Sequence, residues 1–207
     1  AVVKEIVASG ILPQGALQLI CGSAGDILDH VSSQDVVTFT GSASTGLTLK
    51  SHPAILRESV PFNMETDSLN CIVLAADVEP GKPEWDIFIK EVKKEMTVKA
   101  GQKCTAIRRI FVPENKMEDA WKAIASELEK TAIGNPLNEK VRMGAMAGQA
   151  QREEVKEQVQ KLLAASSGVY GSLDSVQVID ADATAGAFLS PLLCSTINRL
   201  PPRQHMI

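Results

Sequence analysis

Apolar residues along the 207-residue chain recur with two periods, and the changes between them mark out the elements. Val2, Val3, Ile6 and Val7 fall at helical spacing and stop before Gly10, which predicts a short helix. Leu17–Cys21 is a continuous apolar run closed by Gly22, the pattern of a strand buried on both faces. Gly25 to Val31 suits a short helix, and Val36–Thr40 is a β-branched run that stops at Gly41. That succession implies a parallel βαβ unit with its crossover helix on the sheet. Ser59–Met64 and Asn70–Leu74 are two further strand candidates.

The stretch Val78–Glu84 reads as a loop, and beyond it the pattern shifts to longer amphipathic helices. Trp85, Ile89, Val92 and Met96 lie on one stripe, predicting a helix that ends by Gly101. Arg108–Val112 predicts a strand halted by Pro113. Met117, Trp121, Ile124 and Leu128 form a second stripe, stopped by Gly134-Asn135-Pro136. Val155, Val159 and Leu162 mark a third helix, and Val176–Ile179 a further strand. The two tryptophans fall on stripes and read as packing anchors. The fold class is therefore α/β, with a boundary expected near Val78 that divides the chain into residues 1–78 and 79–207.

Composition narrows the classes. The chain is 44% hydrophobic and 22% charged, the usage of an ordinary globular protein able to bury a core. Its 21 basic against 25 acidic residues leave a formal charge of −4, which argues against a dedicated nucleic-acid binder. No apolar run approaches the about 18 residues needed to span a bilayer, and no export signal opens the chain. A soluble cytoplasmic protein, without membrane or nucleic-acid partners, is the expectation. The four cysteines are widely spaced without a CxxC pair and read as free thiols, with Cys21, Cys71 and Cys194 in the core. The three histidines lack metal-ligand spacing, so no metal site is assigned. The ends, Ala1-Val2-Val3 and Arg199–Ile207, suggest an engineered boundary, an internal fragment or an altered reading frame.

Three places carry candidate chemistry. Gly41-Ser42-Ala43-Ser44-Thr45-Gly46 joins a strand to a helical segment. It suits either an anion cradled by helix amides and the Ser42 hydroxyl, or a tight turn with a serine cap. It is neither a GxGxxG nor a P-loop. Cys104, in Lys99-Ala100-Gly101-Gln102-Lys103-Cys104-Thr105, is either a small buried hydrophobe or an exposed nucleophile whose thiolate Lys103 favours. Glu65 follows a strand and precedes a polar turn. It is either a solvated turn residue or a carboxylate at the strand ends where α/β folds bind ligands.

The order of these signals resembles the aldehyde dehydrogenase superfamily. Phe39-Thr40-Gly41-Ser42 with Gly46 matches its FTGSxxxG loop, Glu65 its signature glutamate, and Gly101-Gln102-Lys103-Cys104 its nucleophile motif. Ile133-Gly134-Asn135-Pro136 and Met143-Gly144-Ala145 are similar to two later family segments, and the likeness runs from about Leu17 to Phe188. Where the family has Glu-Leu-Gly-Gly-Lys, this chain has Glu65-Thr66-Asp67-Ser68-Leu69, without the glycine pair. Met64–Cys71, Lys99–Arg109 and Ile20–Asp26 resemble a subgroup in particular. This is the dehydrogenase half of the bifunctional ring-opening proteins of phenylacetate degradation.

The resemblance implies half of a parallel Rossmann-type sheet followed by part of an α/β catalytic domain, incomplete at both ends. It implies that Cys104 attacks the aldehyde and that Glu65 activates the water releasing the acid. The Cys104 amide would supply half of an oxyanion hole. Gly41, Ser42 and Gly46 would line NADP (or NAD), with Gly25 towards the adenosine end and Thr66 in place of a leucine near the nicotinamide. The substrate would be a semialdehyde, CoA-linked in that subgroup, and the intact enzyme a homo-oligomer. The family's upstream oxyanion-hole asparagine and ribose-binding lysine, and its downstream Glu-x-Phe-Gly-Pro segment, have no match here. Little or no turnover is therefore expected from this chain alone. Two rival readings stay open: another aldehyde or a CoA-acylating reaction on the same fold, and a non-catalytic binding or assembly module.

Overall fold

In the computed structural model of the protein, residues 2–196 are described. The expectation about the ending Arg199–Ile207 falls outside them. Contacts within the chain divide it into two compact units, Ala1–Asp67 and Ser68–Ile207. The division falls before the Val78 loop.

In the first unit, α1 (Val2–Ala8) forms as the apolar spacing suggests but buries no residue. The buried strand expected at Leu17–Cys21 does not form: Leu19, Ile20 and Cys21 are exposed. A strand exists only as part of a ladder, and among the described residues no segment pairs with this run. The expected Gly25–Val31 helix is a 3-10 turn over Ile27–His30. The parallel unit lies one step further along: β1 (Val37–Gly41), α2 (Ala43–Lys50), α3 (Pro53–Arg57) and β2 (Phe62–Thr66), with β1 and β2 paired in parallel. Local chemistry starts both helices. Ser42 caps α2, while His52 caps α3 by accepting from the Ala54 amide at 3.3 Å, with Pro53 in its first turn. Gly46 is buried because α2 lies close on β2. A β-carbon there would stand 2.6 Å from the Met64 sulfur and 3.0 Å from the Thr66 methyl.

The second unit opens with β3 (Cys71–Val73), parallel to β4 (Arg109–Phe111). Between them runs α4 (Pro83–Thr97), and after β4 comes α5 (Met117–Glu129). The two helical stripes meet as their spacing predicts. Trp85, Phe88, Ile89 and Val92 pack with Ala120, Ile124 and Leu128, and Val92 is wholly buried. The helices also cover Leu74 and Leu193, with Ile72 and Ile110 partly buried beside them. Lys116 is buried before α5; its ammonium donates to the Ala76 and Val78 carbonyls and to Glu79, so the β3–α4 connection is tied down.

β3 has one covered face. Ile72 turns towards the core and Cys71 and Val73 outwards, so Cys71 is exposed rather than buried, and Cys194 is half-buried. The third helix is α6 (Gln149–Leu163), with no buried residue. Val176–Ile179 is not a strand: Ile179 makes an isolated bridge to Gly134, while Val176 and Val178 pack on a small cluster of Ile133, Met143 and Phe188. Gly134 has φ +153°, and a β-carbon on it would meet the Ile179 carbonyl oxygen at 2.1 Å, so this crossing requires glycine. An unforeseen antiparallel pair, β5 (Gly168–Tyr170) with β6 (Leu193–Ser195), completes the unit. No helix among the described residues is long and apolar enough to cross a membrane.

Candidate active site

Parallel pairing brings the carboxyl ends of β1 and β2 to the same edge, the position where open α/β sheets take ligands. Thr40 pairs with Glu65 and Gly41 with Thr66, so the Gly41–Ser42 turn stands beside the exposed Glu65. The Asp67 amide then donates to the Gly41 carbonyl at 3.2 Å, closing the edge. Asp67 has φ +51° where the resemblance has glycine, a left-handed conformation that Asp tolerates better than most residues.

The first amides of α2 are already engaged. Ser42 Oγ accepts from the Thr45 amide at 3.2 Å, and Asp67 Oδ1 accepts from the Ala43 amide at 3.2 Å. Both the serine cap and the anion site were open readings of this loop. The structure shows the cap, and a carboxylate already occupies the first helix amide. Gly41, Ser42, Glu65, Thr66 and the buried Gly46 are thus gathered by β1, β2 and α2. Gly25 lies in an exposed turn at φ +57°, and among the described residues no hydrogen bond joins it to the Gly41 loop.

Chemically, this edge presents the Ser42, Ser44 and Thr45 hydroxyls and the exposed Glu65 carboxylate. A β-carbon on Gly41 would stand 2.6 Å from the Phe39 ring, which takes that space, and the Ser42 and Ser44 hydroxyls stand 3.2 Å apart in the turn. The Asp67 carboxylate reduces what the helix dipole can add there.

Cys104 belongs to the second unit. It is exposed, not the buried hydrophobe that a lone cysteine could have been. Its loop is held at several points. The Ala106 amide donates to the Lys103 carbonyl at 3.1 Å, placing Cys104 and Thr105 at the corner of a tight turn. Asn70, immediately before β3, donates through Nδ2 to the Cys104 carbonyl at 2.6 Å and to the Ala106 carbonyl at 3.3 Å. Gln102 donates to the Lys99 carbonyl at 3.0 Å and accepts from the Ala147 amide at 2.9 Å, joining this loop to the Met143–Ala147 segment.

The cation that sequence proximity offered to the thiolate is already committed. Lys103 Nζ lies 2.7 Å from Glu95 Oε1 on α4, and both side chains are largely covered. Lys103 therefore braces the loop against α4. Upstream, Lys99 and Ala100 both have φ +53°, a conformation costing non-glycine residues roughly 1–2 kcal/mol each. Packing of Ala100 on the Ile133–Met143–Phe188 cluster, with the Gln102 bond, holds them there. His30 and His52 sit outside this chemistry, with Nε2 3.6 Å from an Asp26 oxygen and 3.5 Å from an Asp29 oxygen respectively. Among the described residues, no group of three or more His, Cys, Asp or Glu is placed to hold a metal ion.

Sequence reasoning missed Asn70 and Asp67. Asp67 had a legible signal, an acidic residue in a glycine's place; Asn70 had none, because its partners lie 34 and 36 residues further on.

The chain is thus an α/β protein with a glycine–serine turn and a carboxylate at parallel strand ends in its first unit, and an exposed cysteine on a braced loop in its second. Comparison with known proteins gives the family: residues 1–200 match the aldehyde dehydrogenase family model, and the chain belongs to that family. It is 44% identical over 191 residues to a 3,4-dehydroadipyl-CoA semialdehyde dehydrogenase of Aromatoleum evansii, covering 92% of this chain and 37% of that protein. Among solved structures, it is similar to an NAD-dependent aldehyde dehydrogenase from Sinorhizobium meliloti. The TM-score is 0.76 at 21% identity, over 94% of this chain and 37% of the other. A betaine aldehyde dehydrogenase from Staphylococcus aureus in complex with NAD+ matches with TM-score 0.73 at 20% identity, over 92% and 37%. These likenesses establish the aldehyde dehydrogenase fold. The chain spans a little over a third of the length of these proteins.

Proposed function

We propose that these residues serve an NAD(P)-dependent oxidation of a semialdehyde to its acid, with Cys104 as nucleophile and Glu65 as general base. The observation that carries the reading is the presentation of Cys104: an exposed thiol at the corner of a turn fixed by Asn70, Gln102 and the Lys103–Glu95 pair. A loop backbone held this way loses little freedom when its thiol reacts.

The Cys104 thiolate adds to the aldehyde carbon, forming a C–S bond and placing the carbonyl electrons on oxygen. The Cys104 amide is one donor available to that oxygen. NADP (or NAD), when bound, supplies the hydride acceptor, and collapse of the adduct leaves a thioester on Cys104. Glu65 then takes a proton from water, whose oxygen attacks the thioester; the acid departs and the sulfur returns to thiolate. Gly41 and Ser42 would line the cofactor, with Gly46 letting α2 approach β2, Thr66 beside Glu65, and Gly25 on the adenosine side.

The 44% identical relative is named for a CoA-linked semialdehyde, which makes a CoA-linked semialdehyde the substrate class of choice. Glu65 favours release of a free acid over acyl transfer to CoA, since a thiol acceptor needs no water-activating base. A cytoplasmic homo-oligomer is the setting the reading carries. In the whole protein that bears these residues, Cys104→Ser should lower aldehyde-dependent NADP or NAD reduction at least about a thousandfold while cofactor binding persists. Turnover within tenfold of the parent would overturn the nucleophile assignment.

A further inference from the structure

The brace on Cys104 includes Asn70, to which the resemblance gives no role. Asn70 immediately precedes β3, and its own carbonyl accepts from the Arg108 and Arg109 amides at 2.9 and 3.2 Å where β4 begins. Its side chain then reaches back over the preceding turn, giving one Nδ2 hydrogen to the Cys104 carbonyl and the other to the Ala106 carbonyl. One residue thus spans the stretch from the nucleophile to the strand, through its main chain at one end and its side chain at the other.

The consequence lies in the geometry of the turn. Lys103 and Ala106 close it, so the Cys104 carbonyl projects from the corner, where the turn itself provides no donor. Without the Asn70 side chain the turn keeps its own Lys103–Ala106 bond, but the backbone at Cys104, from which the thiol projects, is tied less firmly to β3. Asn70 is itself exposed and outside both apolar clusters, so core packing does not account for the bond.

We infer that Asn70 is a positioning residue for Cys104, holding the nucleophile's peptide so that the thiol is presented in one orientation. The inference rests on the proposed role of Cys104. It requires no contact between Asn70 and substrate or cofactor, so its effect falls on the chemical step more than on binding.

The test compares Asn70→Ala and Asn70→Asp with the parent in the whole protein that carries these residues. Asp keeps the side-chain shape but removes both donors and sets a carboxylate against two carbonyl oxygens. Both variants should lose about 10- to 100-fold in kcat, counted per folded active site, with KM for aldehyde and cofactor within roughly twofold. If Asn70→Ala does not fold, Asn70→Ser, which keeps one donor, takes its place and should show an intermediate loss of kcat. A purely structural role would lower the unfolding midpoint and leave kcat per folded site unchanged, and that result overturns the inference. Alkylation of the parent by iodoacetamide separates the two levels. A Cys104 that reacts no faster than Cys21, Cys71 and Cys194 sinks the nucleophile reading and this inference together. A fast Cys104 with undiminished kcat in Asn70→Asp sinks the inference alone.

Discussion

The two parallel strand pairs, β1–β2 and β3–β4, are covered very differently. Around β3–β4, α4 and α5 contribute an interlocked set of Trp85, Phe88, Ile89, Val92, Ile124 and Leu128, all buried. Around β1–β2, the buried apolar side chains are Ala54, Ile55 and Val60, while Leu47 and Leu56 on the flanking helices are 57% and 66% exposed. Each unit pairs two strands in parallel beside helices, but among the described residues a side chain caps a helix start only in the first, at Ser42 and His52. Burial, which supplies most of the stabilisation, is concentrated in the unit that carries Cys104. Cys104 stands on the packed unit and Glu65 on the thin one.

Truncating one apolar side chain in each unit tests that contrast. Phe88→Ala should cost about 3–5 kcal/mol in denaturant unfolding of the chain, because it opens a cavity between α4 and α5. Leu56→Ala on α3 should stay within about 0.5 kcal/mol of the parent, as for other surface substitutions. Equal losses at the two sites would break the comparison.

A smaller effect is expected at the carboxyl edge of β1 and β2, the proposed cofactor edge of the thin unit. Asp67→Asn keeps a residue that tolerates positive φ and can still accept from the Ala43 amide, but removes the negative charge from the start of α2. In the whole protein, calorimetric titration with NADP or NAD should then show roughly two- to fivefold tighter binding. Unchanged or weaker binding would place the phosphates away from this helix start.

The same contrast explains what the sequence revealed. The stripes of α4 and α5 were legible because both faces they bury are present and meet each other. β1, β2, β3 and β4 were legible as β-branched or apolar runs closed by turn residues. Leu17–Cys21 carries an equally good strand pattern and forms none, because a strand's existence depends on a partner that composition does not reveal. Cys71 was misplaced for a related reason: an apolar run shows that a strand is there, not whether one face or both are covered. β5 and β6 are three-residue strands joined over a long separation, too short to carry a periodic signal. Cys104, Glu65 and the Gly41 turn stand out as candidates through their motifs. The supports of the Cys104 loop do not, since Asn70, Glu95 and Ala147 reach it through tertiary contacts. Lys103 shows the risk of reading neighbours in sequence as partners in space: its charge goes to Glu95.

The most direct test is to catch the covalent intermediate. In the whole protein that bears these residues, Glu65→Gln removes the proposed base while leaving the nucleophile in place. Incubation with NADP and a short aliphatic aldehyde such as hexanal, followed by peptide mass spectrometry, should find the Cys104 peptide heavier by the acyl group. Cys21, Cys71 and Cys194 should remain unmodified. An unmodified Cys104 in a protein that still reduces NADP, or acylation spread equally over the four thiols, would contradict the assignment.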